Sequence, residues 1–370
     1  MKKIAVIGAN EYQNPLILRA KDMGYETHVF AWKAGAVGET TADVFHPISI
    51  TEKDAIRQVC LDEGVEACCS VGSDLAVLTV NHVQRALGMP CNPVITDTIA
   101  TNKYAMRQAL RGAGVPCPKF LSVSEAPDES ALAGFTWPLI VKPTDRSGSR
   151  GIFQVDTYAD LCAAVPQAAA HSFEGRAVIE EFITGPEYSC ESISFAGRHT
   201  VLALTKKYTT GTPHFIETGH TQPSDIPADR LDYVKSAVMA ALDALHIEYG
   251  ASHAEFRLAP DGTVRIIEIG SRMGGDFIGS DLVPLSTGVD YVRAVIDCAC
   301  GREPDLTPVQ SPRRADVRFV FTADDIAEYD TLLRTAPDSI VRAEIDRSAL
   351  GETVTDSASR HGYWITARTV

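Results

Sequence analysis

The sequence has no cluster of positive charge. Its 370 residues carry a formal net charge of -14, and the lysines and arginines form no basic run. A nucleic-acid partner requires a basic face, so we expect no nucleic-acid binding. A local cationic pocket for a nucleotide is still compatible with this composition.

Long apolar runs are also lacking. No stretch approaches the roughly 18 apolar residues of a membrane span, so we expect no membrane segment. The apolar run before Asn10 is shorter than the roughly 7–15 residues of a secretory h-region. The nine cysteines include no C-x-x-C pair, and their odd number argues against a disulfide framework. These features predict a cytoplasmic protein with reduced thiols and give no support for a zinc site.

The N-terminal part of the chain alternates between strand and helix patterns. Lys3–Gly8 is an unbroken apolar run ended by glycine, which is typical of a buried parallel strand. Further strands are predicted at Thr27–Ala31 and Ala67–Val71, with helices near Lys53–Glu63 and Leu75–Leu87. Alternating elements of this kind predict βαβ units on a parallel sheet.

The first strand does not lead into a dinucleotide-binding loop. The segment Gly8–Gln13 lacks the second and third glycines of G-x-G-x-x-G, and Glu11 would repel phosphate. An NAD-dependent oxidoreductase is therefore disfavoured. A structural βαβ start, with a substrate edge at the carboxyl end of the strand, is favoured.

A lysine followed by a glycine- and serine-rich loop is the first motif that indicates phosphate chemistry. The run WPLIVKP ends a strand at Lys142, and DRSGSRG follows at Asp145–Gly151. A fixed charge beside several backbone N–H groups can bind phosphates. No G-K-[ST] follows, so the loop is not a Walker A motif and is predicted to be a hairpin lid. An ordinary flexible turn is the alternative for the loop alone.

A second acidic segment follows at Val178–Ser192, with the sequence VIEEFITGPEYSCES. Glu180 and Glu181 end an apolar strand, and a Gly-Pro turn leads into the next one. Alternation places Glu187 and Glu191 on one face of that strand. A solvated strand face is the alternative interpretation for these two glutamates.

The most informative segment is a hairpin around Asp261-Gly262, with the sequence SHAEFRLAPDGTVRIIEIGSRMGGDF. A two-residue turn would place Glu255 directly opposite Glu268, with Cβ atoms roughly 4.5–5.5 Å apart. Carboxylates this close repel each other unless a cation lies between them, and Mg²⁺ fits because it uses one or two carboxylates plus substrate phosphates. Protonation of one glutamate is the competing explanation. A three-residue loop with a bulge would put the two side chains on opposite faces.

Taken in order, IVKP, RSGSRG, EEFITGPEYS and EIGSRMGG resemble the ATP-grasp superfamily of carboxylate–amine or carboxylate–thiol ligases. Within it, FIETGHTQPS and DSASRHGYWI are similar to L-amino-acid ligases. The resemblance implies an α/β fold in which an N-terminal parallel-sheet βαβ domain precedes a two-lobed ATP-grasp α+β module and a small C-terminal α+β cap. The expected units are a pre-ATP-grasp domain, a connecting helix, a small lobe with the lid, a large lobe with the metal hairpin, and the cap, at residues 1–93, 94–118, 119–183, 184–306 and 307–370.

The resemblance also implies a set of site residues for ATP and Mg²⁺, with Mn²⁺ as an alternative metal. Arg272 resembles the residue that orients the carboxylate or stabilises the acyl phosphate. Glu255 and Glu268 resemble the metal ligands. The residues that resemble nucleotide contacts are Lys103 and Lys142 at the phosphates, Ser147, Gly148, Ser149 and Gly151 in the lid, Glu180 at the adenine amino group, Phe182 and Ile183 in the hinge, and Glu187 at the ribose.

One position departs from the superfamily pattern. Gly270 stands where many ATP-grasp enzymes carry an asparagine metal ligand two residues after the second glutamate. The number of metal ions and their complete ligand set are therefore left open. The resemblance still implies an ATP-dependent C–N ligase that forms an amide or peptide bond from amino-acid or related carboxylates and releases ADP and phosphate.

The acceptor side of the site is predicted less sharply. Glu217 and His220 would line the amine pocket or help to deprotonate the amine, and a structural loop is an equal alternative. The expected partners are a small-molecule carboxylate and an amine, and a homodimer is the base-rate expectation. Rival functions are a purine-pathway ATP-grasp ligase, which would need a further cationic phosphate pocket, and an inactive nucleotide-binding regulator.

Overall fold

The chain begins with a parallel α/β unit. The computed structural model describes residues 1–148, 150–212 and 215–369. The first strands are β1 (Lys2–Ile7), β2 (Tyr25–Phe30), β3 (Val44–His46) and β4 (Ala67–Cys69), in the parallel order β3-β2-β1-β4. Their helices are α1 (Asn14–Asp22), α2 (Gly38–Thr41), α3 (Lys53–Asp62) and α4 (Asp74–Leu87). The predicted N-terminal βαβ domain is confirmed, although β3 was not anticipated because it is short and only half-buried.

Two helices connect this unit to the next lobe, α5 (Val94–Ile99) and α6 (Lys103–Gly112). The side chain of Asn102 accepts a hydrogen bond from the Ala105 N–H and so caps α6. Asp97 lies inside α5, where it forms an ion pair with Arg85 at 2.6 Å.

A smaller antiparallel sheet follows, built from β5 (Phe120–Val123), β6 (Leu139–Pro143), β7 (Phe153–Val155) and β8 (Ala177–Glu181) in the order β5-β8-β6-β7. Helix α7 (Tyr158–His171) covers one face of this sheet, with Leu161 and Val165 fully buried. The loop between β6 and β7 is the glycine-containing segment predicted to form a lid.

The larger sheet contains β9 (Glu187–Phe195), β10 (Arg198–Thr209), β11 (Glu217–Gln222), β12 (Gly250–Leu258) and β13 (Val264–Gly270). It continues into the C-terminal strands β14 (Arg313–Phe319), β15 (Ile340–Ile345) and β16 (Gly362–Thr369), in the order β13-β12-β9-β10-β11-β14-β16-β15. The accompanying helices are α8 (Leu231–Ala244), α9 (Val283–Thr287), α10 (Tyr291–Ala299) and α11 (Ala323–Thr335). The strands of residues 307–370 thus share a sheet with those of residues 184–306.

No helix in the described ranges is long and apolar enough to cross a membrane. The architecture confirms the predicted fold class, with a parallel sheet first and antiparallel sheets after it. The boundaries drawn between the units remain predictions.

Candidate active site

A cavity of about 660 Å³ opens where the parallel sheet, the two antiparallel sheets and the C-terminal segment meet. Most of the side chains predicted from the sequence line it together. These residues are Lys103, Lys142, Ser147, Gly148, Glu180, Phe182, Ile183, Glu187, Glu217, His220, Glu255, Glu268 and Arg272. Gly151 lies beside His171 and Pro143, outside the lining, and Ser149 falls outside the described residues.

The hairpin of β12 and β13 pairs Glu255 with Glu268, as expected, but by a different route. The predicted two-residue turn is wrong, because Ala259 pairs with Thr263 around a three-residue loop. A β-bulge at Ile267 then restores the register, so the two glutamates remain opposite each other. The loop and the bulge each shift the pairing by one residue, and the two shifts cancel. The expectation that a three-residue loop with a bulge would put the two side chains on opposite faces is therefore wrong.

Each carboxylate of this pair is also held by a lysine. Lys103 donates to Glu268 and to the Arg146 carbonyl, both at 2.6 Å. Lys207 donates to Glu255. The glutamates therefore lie opposite each other without an excess of unbalanced negative charge.

Lys207 is a buried cation in the cavity lining. From the sequence alone it could be interpreted either as a pocket lysine or as a solvated lysine. Besides Glu255, its ammonium lies 3.5 Å from Glu187 and 3.7 Å from Glu217. Burial alone would lower the pKa of Lys207, but these three carboxylates raise it above its usual value. Its neighbour on the strand, Lys206, points away from this cluster, towards Tyr188.

The floor of the cavity is a buried ion cluster around Glu180. Arg107 donates to both carboxylate oxygens, at 2.8 and 3.1 Å, and Lys142 lies 2.8 Å away. Burial would raise the pKa of Glu180, but the two cations lower it to about 2. Burial lowers the pKa of Lys142, and Glu180 opposes that shift. Arg107 was not predicted as a site residue, because arginines within amphipathic helices are common at the edge of a protein core.

The loop from β6 to β7 covers one side of the cavity. Arg146, Ser147 and Gly148 line it, and the guanidinium of Arg146 stacks on Phe173 at 4.2 Å. Gly148 has φ 72°, a conformation that favours glycine. The Arg146 carbonyl of this loop accepts a hydrogen bond from Lys103 at 2.6 Å.

The segment after β8 forms an apolar edge of the cavity. Phe182 lies 6.1 Å from Phe215, ring centre to ring centre. Arg257 stacks on Phe182, donates to the Ile183 carbonyl at 2.8 Å and pairs with Glu187 at 2.9 Å. The arginine thus fixes both the apolar edge and the glutamate beside it.

Beneath the hairpin lies a fully buried carboxylate, Glu191. It accepts from the Gly274 N–H at 2.9 Å and bonds to His253, whose other ring nitrogen lies 3.3 Å from Glu255. Burial opposes protonation of His253, but Glu191 and Glu255 raise its pKa to about 9. The structure shows that His253 is satisfied and also lines the cavity.

The opposite end of the cavity contains Glu217 and His220 on β11. Residues three apart on a regular strand face opposite sides, but a bulge at Thr218 lets both line the cavity. Ser357 donates to Glu217 at 3.1 Å. His220 is 1% exposed, and within the described residues neither of its ring nitrogens has a hydrogen-bond partner.

A buried ion pair joins this end to both termini of the chain. Arg360 donates to both oxygens of Asp276, at 2.7 and 2.9 Å, and Tyr12 donates to the same carboxylate at 3.2 Å. Asp276 lies 3.6 Å from His220. No sequence pattern indicates Asp276, Arg360 or Tyr12 as site residues, because only tertiary folding brings them together.

His220 supplies a testable pH dependence. Burial lowers its pKa below 6.5, and the nearby Asp276 only partly opposes this. A group with a depressed folded-state pKa contributes stability above its unfolded pKa and loses it as the pH falls through the folded pKa. Urea unfolding across roughly pH 5–8 should therefore show stability falling below pH 6.5 more steeply in the wild type than in His220→Gln. The surface variant His82→Gln should keep the wild-type slope, and equal slopes in all three proteins would refute the assignment.

Arg272 follows β13 and lies beside the two glutamates in the cavity lining. Its guanidinium pairs with Asp74, the first residue of α4, through Nε at 2.8 Å and Nη2 at 3.2 Å. Asp74 therefore brings the parallel α/β unit into the site. The sequence predicted helix α4 from Leu75 onwards, and it predicted no role for Asp74.

Two lobes that close over a cavity with paired glutamates, buried lysines and a glycine-containing loop define an ATP-grasp fold. Residues 135–281 match the family described as ATP-grasp domain. This match confirms the resemblance to the ATP-grasp superfamily that was read from the motifs.

Individual proteins show how far this likeness extends. The crystal structure of an L-amino acid ligase from Bacillus licheniformis matches with a TM-score of 0.83 and 23% identity, covering 100% of this chain and 94% of that one. Carnosine synthase 1 of Mus musculus is 26% identical over 82% of this chain and 40% of its own length. Alanine–anticapsin ligase of Bacillus subtilis is 26% identical over 72% of this chain and 64% of its own length. The chain spans about half the length, or less, of several curated relatives that it matches.

Proposed function

We propose that this protein is an ATP-dependent carboxylate–amine ligase that joins amino acids or related small carboxylates through an acyl phosphate. The observation that carries the proposal is the Glu255–Glu268 pair beside two buried lysines and under the glycine-containing loop. The names of the similar proteins, an L-amino acid ligase and an alanine–anticapsin ligase, favour the same reaction class.

The residues present fit MgATP. Within the described ranges no group of three or more His, Cys, Asp or Glu side chains is arranged to hold a metal by itself. Mg²⁺ bound by Glu255 and Glu268 would therefore complete its coordination with phosphate oxygens and water. Bound Mg²⁺ would neutralise the triphosphate and polarise its γ-phosphoryl group. Mn²⁺ is a plausible substitute because it takes the same oxygen ligands.

The lysines and the loop would hold the phosphates. Burial lowers the pKa of Lys142, and Glu180 only partly opposes this, so an added anion would stabilise its ammonium form. Lys103 donates two of its three protons to Arg146 and Glu268, and it would donate the third to the same phosphates. Ser147 and Gly148, with Ser149 and Gly151 as the remaining predicted lid residues, would cover the terminal phosphates and exclude water.

The apolar edge would take the nucleoside. Phe182 and Phe215 offer aromatic faces for the base, and the backbone of Ile183 lies next to them. Glu180 would accept from the adenine amino group through lone pairs that its ion pairs leave open. Glu187, held by Arg257, would accept from the ribose hydroxyls.

Arg272 would bind the carboxylate and stabilise the charge that develops as the acyl phosphate forms and collapses. Glu217 and His220 would face the amine. The buried imidazole of His220 favours its neutral form, which can accept a proton from the substrate ammonium and so release the neutral amine that attacks the acyl phosphate.

Product formation from pooled substrates tests the function directly. The protein is incubated with MgATP and pools of amino acids, and ADP, AMP and phosphate are measured. ADP and phosphate release that requires both an acid and an amine supports the ligase. AMP release, or no turnover with any pool, would refute it. A requirement for a phosphorylated ribosyl amine would favour the purine-pathway alternative.

Glu268→Gln is expected to raise the Mg²⁺ concentration needed for tight ADP binding. The change keeps the shape of the side chain but removes its charge, and loss of even a supporting group at a metal site typically costs about 10–100-fold in affinity. Calorimetric titration of ADP at several Mg²⁺ concentrations measures the shift. Glu303→Gln removes an exposed carboxylate and should leave the titration unchanged. An unaltered Mg²⁺ dependence in Glu268→Gln would argue against the metal assignment.

A further inference from the structure

Arg272 and Asp74 form a two-point ion pair inside the cavity. Asp74 accepts from Nε at 2.8 Å and from Nη2 at 3.2 Å, and both side chains are less than one fifth exposed. A guanidinium has a second edge, formed by Nη1 and the other Nη2 proton. On that edge the described contact is a long one of 3.4 Å, from Nη1 to the Met273 carbonyl. The edge is thus available to a second anion.

Gly270 makes the space for this pair. A Cβ atom at this position would lie 2.9 Å from Asp74 Oδ1 and 3.1 Å from both Nε and Cζ of Arg272. Contacts this short force a shift, so any side chain at position 270 would displace the ion pair. Gly270 thus stands where many ATP-grasp enzymes carry asparagine, and the carboxylate of Asp74, from a distant part of the sequence, lies beside it.

The loop that carries Asp74 is docked against the same segment. The Gly72 N–H donates to the Met273 carbonyl at 3.3 Å, and Gln13 donates to the Val71 carbonyl at 2.6 Å. Ser73 caps α4 by accepting from the Ala76 N–H, which fixes where Asp74 begins the helix. The position of Asp74 is therefore fixed by contacts of its own loop and helix, in addition to its ion pair with Arg272.

We propose that Asp74 is a positioning residue that grips one edge of Arg272 and aims the other edge at the substrate carboxylate or acyl phosphate, in space that Gly270 leaves free. The proposal rests on the ligase function proposed above. The parallel α/β unit then contributes directly to the geometry of the reacting centre, through an ion pair whose planar fork lysine cannot reproduce.

The test compares Asp74→Asn with Gly270→Ala, because each should break the two-point pair from a different side. Asparagine turns one acceptor into a donor that faces Nη2, and alanine at position 270 pushes against Asp74 Oδ1. Both variants should lose up to roughly 10²-fold in kcat, the cost of a misplaced catalytic group, while the Kd for MgADP stays at the wild-type value. Adding Asp74→Asn to Arg272→Lys should cost little more, because the two changes remove the same arrangement.

The matched controls are Asp54→Asn, a carboxylate in the first turn of α3 beside Arg57, and Gly112→Ala, where an added Cβ meets no atom within 4 Å. Both should keep the wild-type kcat. Wild-type turnover together with unchanged kcat in Asp74→Asn would overturn the proposal, as would a lower KM for the carboxylate, which would mean that Asp74 competes with substrate. Additive losses in the double variant would also overturn it. Absence of turnover in the wild type would instead refute the proposed function.

Discussion

Arg272→Ala is expected to lower kcat by about 10²–10³-fold, the usual cost of removing one donor that stabilises developing negative charge. The affinity for MgADP should be unchanged, because the side chain of Arg272 pairs with Asp74 and is proposed to bind the substrate carboxylate, not the nucleotide. Steady-state kinetics and ADP titration of the same preparation measure the two quantities. The loss should appear in kcat more than in KM, since the contact strengthens as charge develops.

Two further variants separate charge from geometry. Arg272→Lys keeps a cation but loses the planar fork, so it should remain strongly impaired. Arg265→Ala removes an arginine from β13, the strand that precedes Arg272, where it pairs with Asp261 at the surface, and should turn over normally. Near-normal activity in Arg272→Ala or full rescue by lysine would contradict the assignment.

Glu180→Gln is expected to destabilise the protein by about 3–5 kcal/mol, the cost of breaking a buried ion pair from one side. The change leaves Arg107 and Lys142 buried, and the side chain of Arg107 is only 1% exposed. Urea unfolding monitored by circular dichroism gives the free energy of unfolding. Glu66→Gln breaks the exposed pair with Lys2 and should cost less than about 1 kcal/mol.

The ion cluster of Glu180, Arg107 and Lys142 should also make the free energy of unfolding depend on pH in acid. The pKa of Glu180 is lowered from 4.5 to about 2, so its contribution is present above pH 4.5 and is lost as the pH falls towards 2. Glu180→Gln should therefore lose less stability than the wild type over that interval. Parallel pH profiles, or a Glu180→Gln protein as stable as the wild type, would show that the cluster does not stabilise the fold.

The sequence predicted which strand ends line the cavity better than it predicted how those strands are joined. Lys142 and Glu180 end apolar strands, where a single charged residue is conspicuous, and both lie in the cavity. The Glu255–Glu268 pairing was predicted from an assumed two-residue turn. It occurs because a three-residue loop and a bulge offset each other, and such local irregularities have no signature in an alternating pattern.

The partners of the predicted residues were largely missed. Arg107, Asp74 and Arg360 are separated by more than 70 residues from Glu180, Arg272 and Asp276, the acidic or basic groups they pair with. Pairing at such distances depends on how sheets and loops stack, which periodicity along one chain cannot supply. A charged residue within a helix such as α6 has the pattern of an ordinary surface residue, even where, as for Arg107, it is fully buried.

Sequence changes in the segment around Ser357 and Arg360 would affect one end of the cavity, whereas changes at the strand ends would affect the other. The end of the cavity that we propose holds the nucleotide is built from strand ends in the middle of the chain, whereas the far end is closed by a short stretch near the C-terminus. That stretch contacts Glu217 and Asp276 through side chains, so replacing it would reshape one end of the cavity. Exchanging residues 356–360 between related chains would thus be a compact route to new acceptor preferences, with the machinery for ATP left in place.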